Sequence, residues 1–235
     1  MARALVLAAL SDDPTTVHRP LVARDSLLMA GALRALGSHV DTPDHGPWRV
    51  VPGWSEGPVT IDCGLSGTVM RFVPPLAALS RASVRFDGDA AARRRPMRPL
   101  LDALTALGVD LDVGDAAGLP FTLHGTGTVS GGRVTVDARA SSQVISGLLL
   151  AACRFTDGLT VAAASPPPSA PHIEMTVAML RQVGIDVTTR PGEWTVAPGV
   201  PAGGEHVIEP DLSNAAPFLA AAVVTGGRVR VPGWP

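Results

Sequence analysis

A repeated helix design constrains this chain more than any other feature of its sequence. Short helices rich in Ala and Leu, hydrophobic nearly all round, recur along the chain, and each has a small polar cap or a short β run beside it. Three of them begin near Gly67, Ser141 and Ser213, which are 74 and then 72 residues apart, and a fourth occupies residues 3–10. Helices without a polar face are buried. The repeat therefore predicts a core made of helices rather than of strands.

A second kind of helix alternates with the first. Residues 25–37, 96–108 and 171–184 carry apolar side chains at helical spacing and end on a glycine, and an alternating strand follows each of them. Three units of two helices and several strands fit in 235 residues, which predicts an α/β fold with buried helices packed behind strands. The apolar face of the second helix type is predicted to be core: Leu33, Leu36, Leu101, Leu104, Leu107, Thr176, Met179 and Leu180.

The turn before the first repeat helix has the composition of an anion site. It reads DCGLSGTVMR at residues 62–71, and its glycines let backbone N–H groups approach a ligand. Ser66 or Thr68 can cap the helix, whose N-terminus favours an anion such as phosphate. Arg71 adds a permanent cation. An ordinary glycine-containing loop in front of a buried helix is the alternative interpretation.

Three further stretches are candidates for binding an anion. Ser141, Ser142 and Gln143 place two hydroxyls and an amide at a buried helix start, although a double cap without a ligand has the same pattern. The three arginines at residues 93–95 form either a solvated turn or a set of anion ligands. Ser169 is either a helix cap or a plain loop serine. If the buried helices run parallel, their starts gather in one cleft.

Composition excludes several classes of function. The net charge is -2, which gives no general attraction to nucleic acid. All 19 basic residues are arginine, so the chain carries no Schiff-base or P-loop lysine. Cys63 and Cys153 lack the spacing of a zinc site and are predicted to be buried free thiols, as in a reducing compartment. No signal peptide or membrane-length apolar run is present, which predicts a soluble cytoplasmic protein.

Taken together, these motifs resemble the enolpyruvyl transferase family, in particular its actinobacterial members that act on shikimate 3-phosphate. The resemblance implies an inside-out α/β barrel of repeated βαβαββ-type units, three to a domain, in a two-domain clamshell. It implies transfer of the enolpyruvyl group of phosphoenolpyruvate to the 5-hydroxyl of shikimate 3-phosphate, with release of phosphate, in aromatic amino-acid biosynthesis. No metal and no organic cofactor is implied. The stretches that carry the resemblance are RALVLAAL at 3–10, DCGLSGTVMR at 62–71, RP at 95–96, SSQ at 141–143, SAPHIE at 169–174 and DLSNAA at 211–216.

The resemblance also implies roles for single residues. For shikimate 3-phosphate it points to Arg3, Ser141, Ser142, Gln143 and Ser169. For phosphoenolpyruvate it points to Gly67, Arg71, Gln143 and one loop arginine, either Arg93 or Arg95. The loop arginine stays open because an ungapped alignment puts Ala91 at the family's position. Gly67 matches a glycine that matters for glyphosate sensitivity in the family, which makes glyphosate an expected inhibitor.

Departures from the family pattern shape the remaining expectations. The lysine-containing start that precedes Arg3 in the family is absent, and the family's catalytic carboxylates and other lysines are expected beyond residue 235. No catalytic acid or base is therefore assigned, and this chain is expected to be inactive alone. Residues 1–208 are expected to form one domain, truncated at its N-terminus, and residues 209–235 the first helix and strand of a second domain. Full-length members are expected to be monomeric.

Two alternatives remain open at this point. The sister enzymes that act on UDP-N-acetylglucosamine are the nearest, but the region of Arg93 has no reactive cysteine and the SSQ motif favours the shikimate branch. The other alternative is a non-catalytic anion-binding domain, either a pseudoenzyme or one half of a two-chain site.

Overall fold

The computed structural model describes residues 1–114, 118–139 and 141–233. Its helices are α1 (Ala2–Leu10), α2 (Arg24–Ala35), α3 (Gly67–Ala77), α4 (Arg98–Ala106), α5 (Gln143–Ala152), α6 (Ala170–Gln182) and α7 (Leu212–Thr225). Its strands are β1 (Thr15–His18), β2 (His39–Asp41), β3 (Trp48–Val51), β4 (Val59–Asp62), β5 (Ser83–Asp87), β6 (Asp110–Val113), β7 (Phe121–His124), β8 (Gly132–Val136), β9 (Leu159–Ala163), β10 (Val187–Arg190), β11 (Glu193–Val196) and β12 (Gly204–Val207). No helix in these ranges is long and apolar enough to cross a bilayer.

The strands form three four-stranded sheets with one shared plan. Their orders are β4-β5-β7-β6, β8-β9-β11-β10 and β12-β1-β3-β2. In each sheet the first two strands are parallel and the remaining neighbours are antiparallel. The last strand along the chain in the antiparallel part (β3, β7 or β11) lies between the two strands that precede it, so that part is not a meander. The α/β fold of repeated units that the sequence predicts is confirmed.

One of the three units is assembled from both ends of the described chain. Strand β12 pairs in parallel with β1, so that Gly204 lies opposite Thr15 and Val207 opposite His18. The buried helix of this unit is therefore α1. In the other two units a strand precedes the buried helix along the chain, whereas here the equivalent strand is β12, which comes about 200 residues later. This long-range pairing closes the fold, because the first and last sheet strands become neighbours.

The first type of helix forms the centre of the molecule. Residues 4–10 of α1, 69–77 of α3 and 144–152 of α5 are all buried, which confirms the burial predicted from their apolar composition. The amphipathic helices α2, α4 and α6 pack one face on this core. Of their predicted core residues, Leu107 and Met179 are partly buried and the others are fully buried.

One expectation for the last segment is wrong. Helix α7 was expected to be buried like the other repeat helices, but Phe218 is 67% exposed and Val223 and Val224 are each 84% exposed. None of the α7 residues belongs to the hydrophobic core of the described part of the chain, so the apolar side chains of this helix remain uncovered. Residues 226–233 contain no strand. The assignment of residues 209–235 to a second domain stays a prediction. Residues 234–235 of the expected second-domain segment lie outside the described residues.

The two cysteines are free and buried, as predicted. Burial raises the pKa of each thiol to about 12, and the carboxylates of Asp62 and Asp87 add to the rise at Cys63. The thiolate is the reactive form, so both side chains are held in their unreactive state at neutral pH. We expect neither Cys63 nor Cys153 to react with a disulfide reagent at pH 8 in the folded chain, and both to react in guanidinium. Rapid labelling of one thiol without denaturant would contradict this packing.

Candidate functional site

The turn in front of α3 is held by its own side chains. The Asp62 carboxylate accepts the N–H of Gly64 at 2.7 Å, and Gly64 has a φ of 51°, a left-handed conformation that favours glycine. Ser66 is the N-cap of α3 and accepts the N–H of Val69 at 3.4 Å, as one of the two candidate caps was predicted to do. The first helical residue, Gly67, is thereby presented at the end of the buried helix.

Polar side chains from three segments converge on Gly67. A methyl group added at its α carbon would lie 3.0 Å from Arg95 Nη1, 3.0 Å from Gln143 Oε1 and 3.2 Å from Arg71 Nη1. The absence of a side chain at Gly67 thus leaves a small space bordered by two guanidinium groups, an amide and a helix N-terminus. These groups favour an anion of the size of a carboxylate or phosphate.

Arg71 is an unusual buried cation. Only 5% of it is exposed, and its Nε has no hydrogen-bond partner among the described residues. Its two Nη groups donate to the carbonyls of Gly67 and Pro96, each at 3.3 Å. Burial, followed by the positive charge of Arg95, lowers the pKa of Arg71. A buried cation beside a second cation is costly unless an anion joins them.

The two candidate loop arginines point to different partners. Arg93 makes a two-pronged ion pair with Asp87, with both nitrogen–oxygen distances at 2.9 Å. Arg95 instead donates to the carbonyl of Leu65 at 3.1 Å and lies against Gly67. Of the pair, Arg95 is therefore the one that reaches the space in front of α3.

The start of α5 reaches the same space because α5 and α3 touch closely. Ser141 Oγ accepts the N–H of Gln143 at 3.2 Å, whereas Ser142 occupies the N-cap without a cap hydrogen bond from its side chain. One turn further on, Gly147 lies against the carbonyl of Arg71, where a methyl group would be only 2.1 Å from the oxygen. The close crossing of the two helices brings Gln143 to Gly67.

Arg3 lies at the start of α1, the third of the buried helices. Its Nε donates to Thr176 Oγ1 at 2.7 Å and its Nη2 donates to the His172 carbonyl at 2.9 Å, both on α6. Its guanidinium also lies 5.5 Å from the ring centroid of Phe72 on α3. Burial lowers the pKa of Arg3. Arg3 thus connects the start of α1 to α3 and α6.

Ser169 and its neighbours show what the sequence reading missed. Ser169 is the N-cap of α6, but its hydroxyl makes no cap hydrogen bond, so the capping bond suggested for it is absent. The partners of Arg3, which are Thr176 and the carbonyl of His172, were not predicted, nor was the contact of Ser146 with both of them. The only available signal was a hydroxyl side chain at two otherwise apolar core positions.

The electrostatics of this region favour a negatively charged ligand, because three of its arginines have no carboxylate partner. Other arginines in the described ranges form ion pairs with Asp or Glu, but none of these pairs includes Arg3, Arg71 or Arg95. Grouped His, Cys, Asp or Glu side chains suited to a metal ion do not occur in residues 1–114, 118–139 or 141–233. A cavity of about 670 Å³ between α2 and β4 includes none of the predicted site residues in its lining.

Known proteins are similar to this chain in sequence and fold. A model of the EPSP synthase (3-phosphoshikimate 1-carboxyvinyltransferase) family matches residues 1–235. A 3-phosphoshikimate 1-carboxyvinyltransferase from Kocuria rhizophila is 54% identical, over 99% of this chain and 55% of that protein. The solved structure of an EPSP synthase from Acinetobacter baumannii superposes with a TM-score of 0.78 at 25% identity, over 95% of this chain and 50% of that one.

A more distant likeness bears on the fold alone. The enolpyruvyl transferase NikO from Streptomyces tendae matches with a TM-score of 0.67 at 15% identity, over 94% of this chain and 52% of that one. This chain spans about half the length of each of these proteins. Because the family model covers all of its residues, as the resemblance of its motifs implied, the chain belongs to the EPSP synthase (3-phosphoshikimate 1-carboxyvinyltransferase) family.

Proposed function

We propose that this chain holds the two anionic substrates of an enzyme that transfers the enolpyruvyl group of phosphoenolpyruvate to shikimate 3-phosphate. The observation that carries the proposal is a set of three arginines whose side chains lie near the starts of α1 and α3 without a carboxylate partner among the described residues: Arg3, Arg71 and Arg95. Both substrates carry a phosphate and a carboxylate. A site of unpaired guanidinium groups and helix N-termini suits two such ligands.

The phosphoenolpyruvate position is proposed to lie in front of α3. Gly67 leaves the space, Arg71 and Arg95 supply the positive charge, and Gln143 faces both substrates. We assign the loop role to Arg95 and not to Arg93, since the Arg93 guanidinium is neutralised by Asp87.

The shikimate 3-phosphate position is proposed to lie between the starts of α1, α5 and α6. Arg3 supplies a cation, and Ser141, Ser142 and Ser169 supply hydroxyl donors at two helix N-caps. Ser142 and Ser169 are free for this role because neither hydroxyl makes a cap hydrogen bond. Gln143 joins the two positions, as its amide lies at Gly67 and its own N–H is bound by Ser141.

The chemical contribution of these residues is to bind and orient. The 5-hydroxyl of shikimate 3-phosphate must approach the enolpyruvyl carbon while the methylene carbon takes up a proton. Fixing two anions side by side on rigid helix starts supplies the positioning part of such a reaction. The proton transfers need an acid and a base. We propose that these come from outside residues 1–235, where the resemblance to the family implies its catalytic carboxylates and lysines.

Three finer points belong to the same proposal. Glyphosate, which carries a phosphonate and a carboxylate, is proposed to compete for the position in front of Gly67. The whole enzyme is proposed to act as a monomer. A cytoplasmic location is proposed, because two buried free thiols persist best in a reducing compartment.

Calorimetric titration of the purified chain tests the proposal. We expect shikimate 3-phosphate to bind at millimolar concentration or tighter, which corresponds to about -4 kcal/mol or better. A turnover assay on the same sample is expected to show no phosphate release. A folded chain that binds neither substrate would overturn the proposed substrate-holding role, and turnover would overturn the proposal that the acid and base lie elsewhere.

Gly67→Ala provides the matched variant for this titration. The added methyl group would meet the ends of three flexible side chains at 3.0–3.2 Å, so the fold can adjust by a few tenths of an ångström while the space shrinks. We expect the affinity for phosphoenolpyruvate and glyphosate to fall about tenfold, or about 1.4 kcal/mol. The affinity for shikimate 3-phosphate serves as the internal control and should stay unchanged. An equal loss for both substrates would contradict the two-position arrangement.

A further inference from the structure

Arg3 is held by a closed ring of hydrogen bonds that contains no charged partner. Its Nε donates to Thr176 Oγ1 at 2.7 Å. The single proton of the Thr176 hydroxyl can be donated to Ser146 Oγ or to the His172 carbonyl, both at 3.0 Å. Ser146 Oγ donates to the same carbonyl at 3.4 Å, and Arg3 Nη2 reaches it at 2.9 Å. The ring therefore begins and ends on one guanidinium group.

The two hydroxyl groups of this ring are buried, whereas its hydrogen bond from Arg3 to the His172 carbonyl lies at the surface. Thr176 and Ser146 are each 0% exposed, on α6 and α5 respectively. A buried hydroxyl that accepts from a guanidinium while donating onward is polarised in both directions, which strengthens each bond. The Phe72 ring adds a face 5.5 Å from the guanidinium carbon of Arg3. The position and the plane of the Arg3 guanidinium group are thus fixed by groups from α3, α5 and α6.

The neutrality of the ring has a consequence for ligand binding. Proteins commonly fix a buried arginine with a carboxylate, which also cancels its charge. Here every acceptor is a hydroxyl or a carbonyl, so the positive charge of Arg3 is fixed in place but not cancelled. The Nη1 group and the second Nη2 hydrogen make no bond to a described residue and stay available to a ligand.

We propose that Thr176 and Ser146 are positioning residues for Arg3, which fix its guanidinium toward an anionic group of the substrate while leaving its full charge available. The proposal rests on the assignment of Arg3 to the shikimate 3-phosphate position and adds the residues that act through it. Neither hydroxyl touches the substrate. Their effect on binding passes through the geometry of Arg3.

Substitution of Thr176 separates this role from a packing role. Thr176→Val has nearly the same shape and removes the hydroxyl, which leaves Arg3 Nε without a buried acceptor. Thr176→Ser keeps the hydroxyl and removes a methyl group. We expect the valine variant to lose about tenfold in affinity for shikimate 3-phosphate and the serine variant to stay within about threefold of the unaltered chain. A packing role would give the opposite order, since serine leaves the larger void.

A second measurement tests the ring without any substrate. The Nε–H resonance of Arg3, identified by its loss in Arg3→Lys, is expected to exchange slowly with solvent in the unaltered chain and in Thr176→Ser. In Thr176→Val we expect exchange about tenfold faster. Unchanged exchange in the valine variant overturns the inference, whatever the binding data show.

The outcomes also separate this inference from the proposed function. If the unaltered chain binds shikimate 3-phosphate and the valine variant binds it equally well, the positioning role is overturned and the proposed function stands. If the folded, unaltered chain binds no substrate, the proposed function is overturned together with the anion-binding part of this inference. The inference is supported only if three results occur together. Thr176→Val must lose affinity for shikimate 3-phosphate, Thr176→Ser must retain it, and Nε–H exchange of Arg3 must be faster in Thr176→Val.

Discussion

Gly147→Ala is expected to lower the free energy of unfolding by about 3 kcal/mol, at the upper end of overpacking effects. The added methyl group would lie 2.1 Å from the carbonyl oxygen of Arg71 and 2.9 Å from its carbonyl carbon. Both atoms belong to the backbone of a buried helix, so no side chain can move aside. The helices α3 and α5 must separate instead, in the middle of the core. For a chain of this size the expected fall in Tm is about 10 °C.

The same substitution at Gly31 supplies a control, because it is expected to raise the stability of the fold rather than to lower it. Gly31 lies inside α2, and an added methyl group there would meet nothing within 4 Å. Alanine is the better helix former by about 1 kcal/mol, so Gly31→Ala is expected to raise the stability by up to that amount. Thermal and urea unfolding of both variants test the pair. Equal or greater stability of Gly147→Ala than of the unaltered chain would contradict the close crossing of α3 and α5.

The contact at Gly147 also has a functional consequence. Gln143 lies one turn ahead of it on α5, and its amide oxygen reaches the space at Gly67 only because the two helices touch. Separation of α3 and α5 is therefore expected to weaken phosphoenolpyruvate binding even at temperatures where the variant remains folded. The stability of the core and the geometry of the candidate site depend on the same glycine.

Local patterns sufficed to predict the helices and the strands that follow them, but not how the units close. The apolar composition of α3 and α5 shows burial without any knowledge of a partner. The pairing of Thr15 with Gly204 joins residues near opposite ends of the chain, and no local pattern reports such a contact. The repeat read from the sequence includes α7, but Phe218 of α7 does not enter the core of the described residues, whereas the buried helix of the split unit is α1.

Residue types in the candidate site were predictable, whereas their partners were not. The sequence offered Arg93 and Arg95 as equivalent choices, and only the fold shows that Asp87 takes the first of them. Thr176 was assigned to the core on its helical spacing, which is right, but spacing does not reveal that its hydroxyl binds Arg3. Gly147 read as one small residue in an Ala/Leu-rich helix. The distinction in each case depends on a contact between distant segments.

The second large effect is expected from Arg71→Met, which should weaken phosphoenolpyruvate binding without lowering the stability of the fold. Arg71 is 5% exposed, its Nε has no hydrogen-bond partner in the part of the chain that the structure describes, and its two hydrogen bonds are long for a charged donor. Removing an uncompensated buried cation and keeping an apolar side chain of similar length is expected to leave the free energy of unfolding unchanged or to raise it by about 1 kcal/mol. Phosphoenolpyruvate affinity is expected to fall about 100-fold, or about 3 kcal/mol.

A variant that loses affinity for phosphoenolpyruvate but keeps its stability identifies a binding residue, whereas loss of stability identifies a structural one. Arg98→Met is the matched control, because Arg98 makes an exposed pair with Asp102 at 2.6 Å, four residues along α4. Such surface pairs contribute less than about 1 kcal/mol, so neither stability nor affinity should change much. A loss of more than about 2 kcal/mol of stability in Arg71→Met would show that the fold needs this arginine. If the fold tolerates the change and only anion binding is lost, the unpaired charge of Arg71 is a cost that the folded chain carries for its ligand.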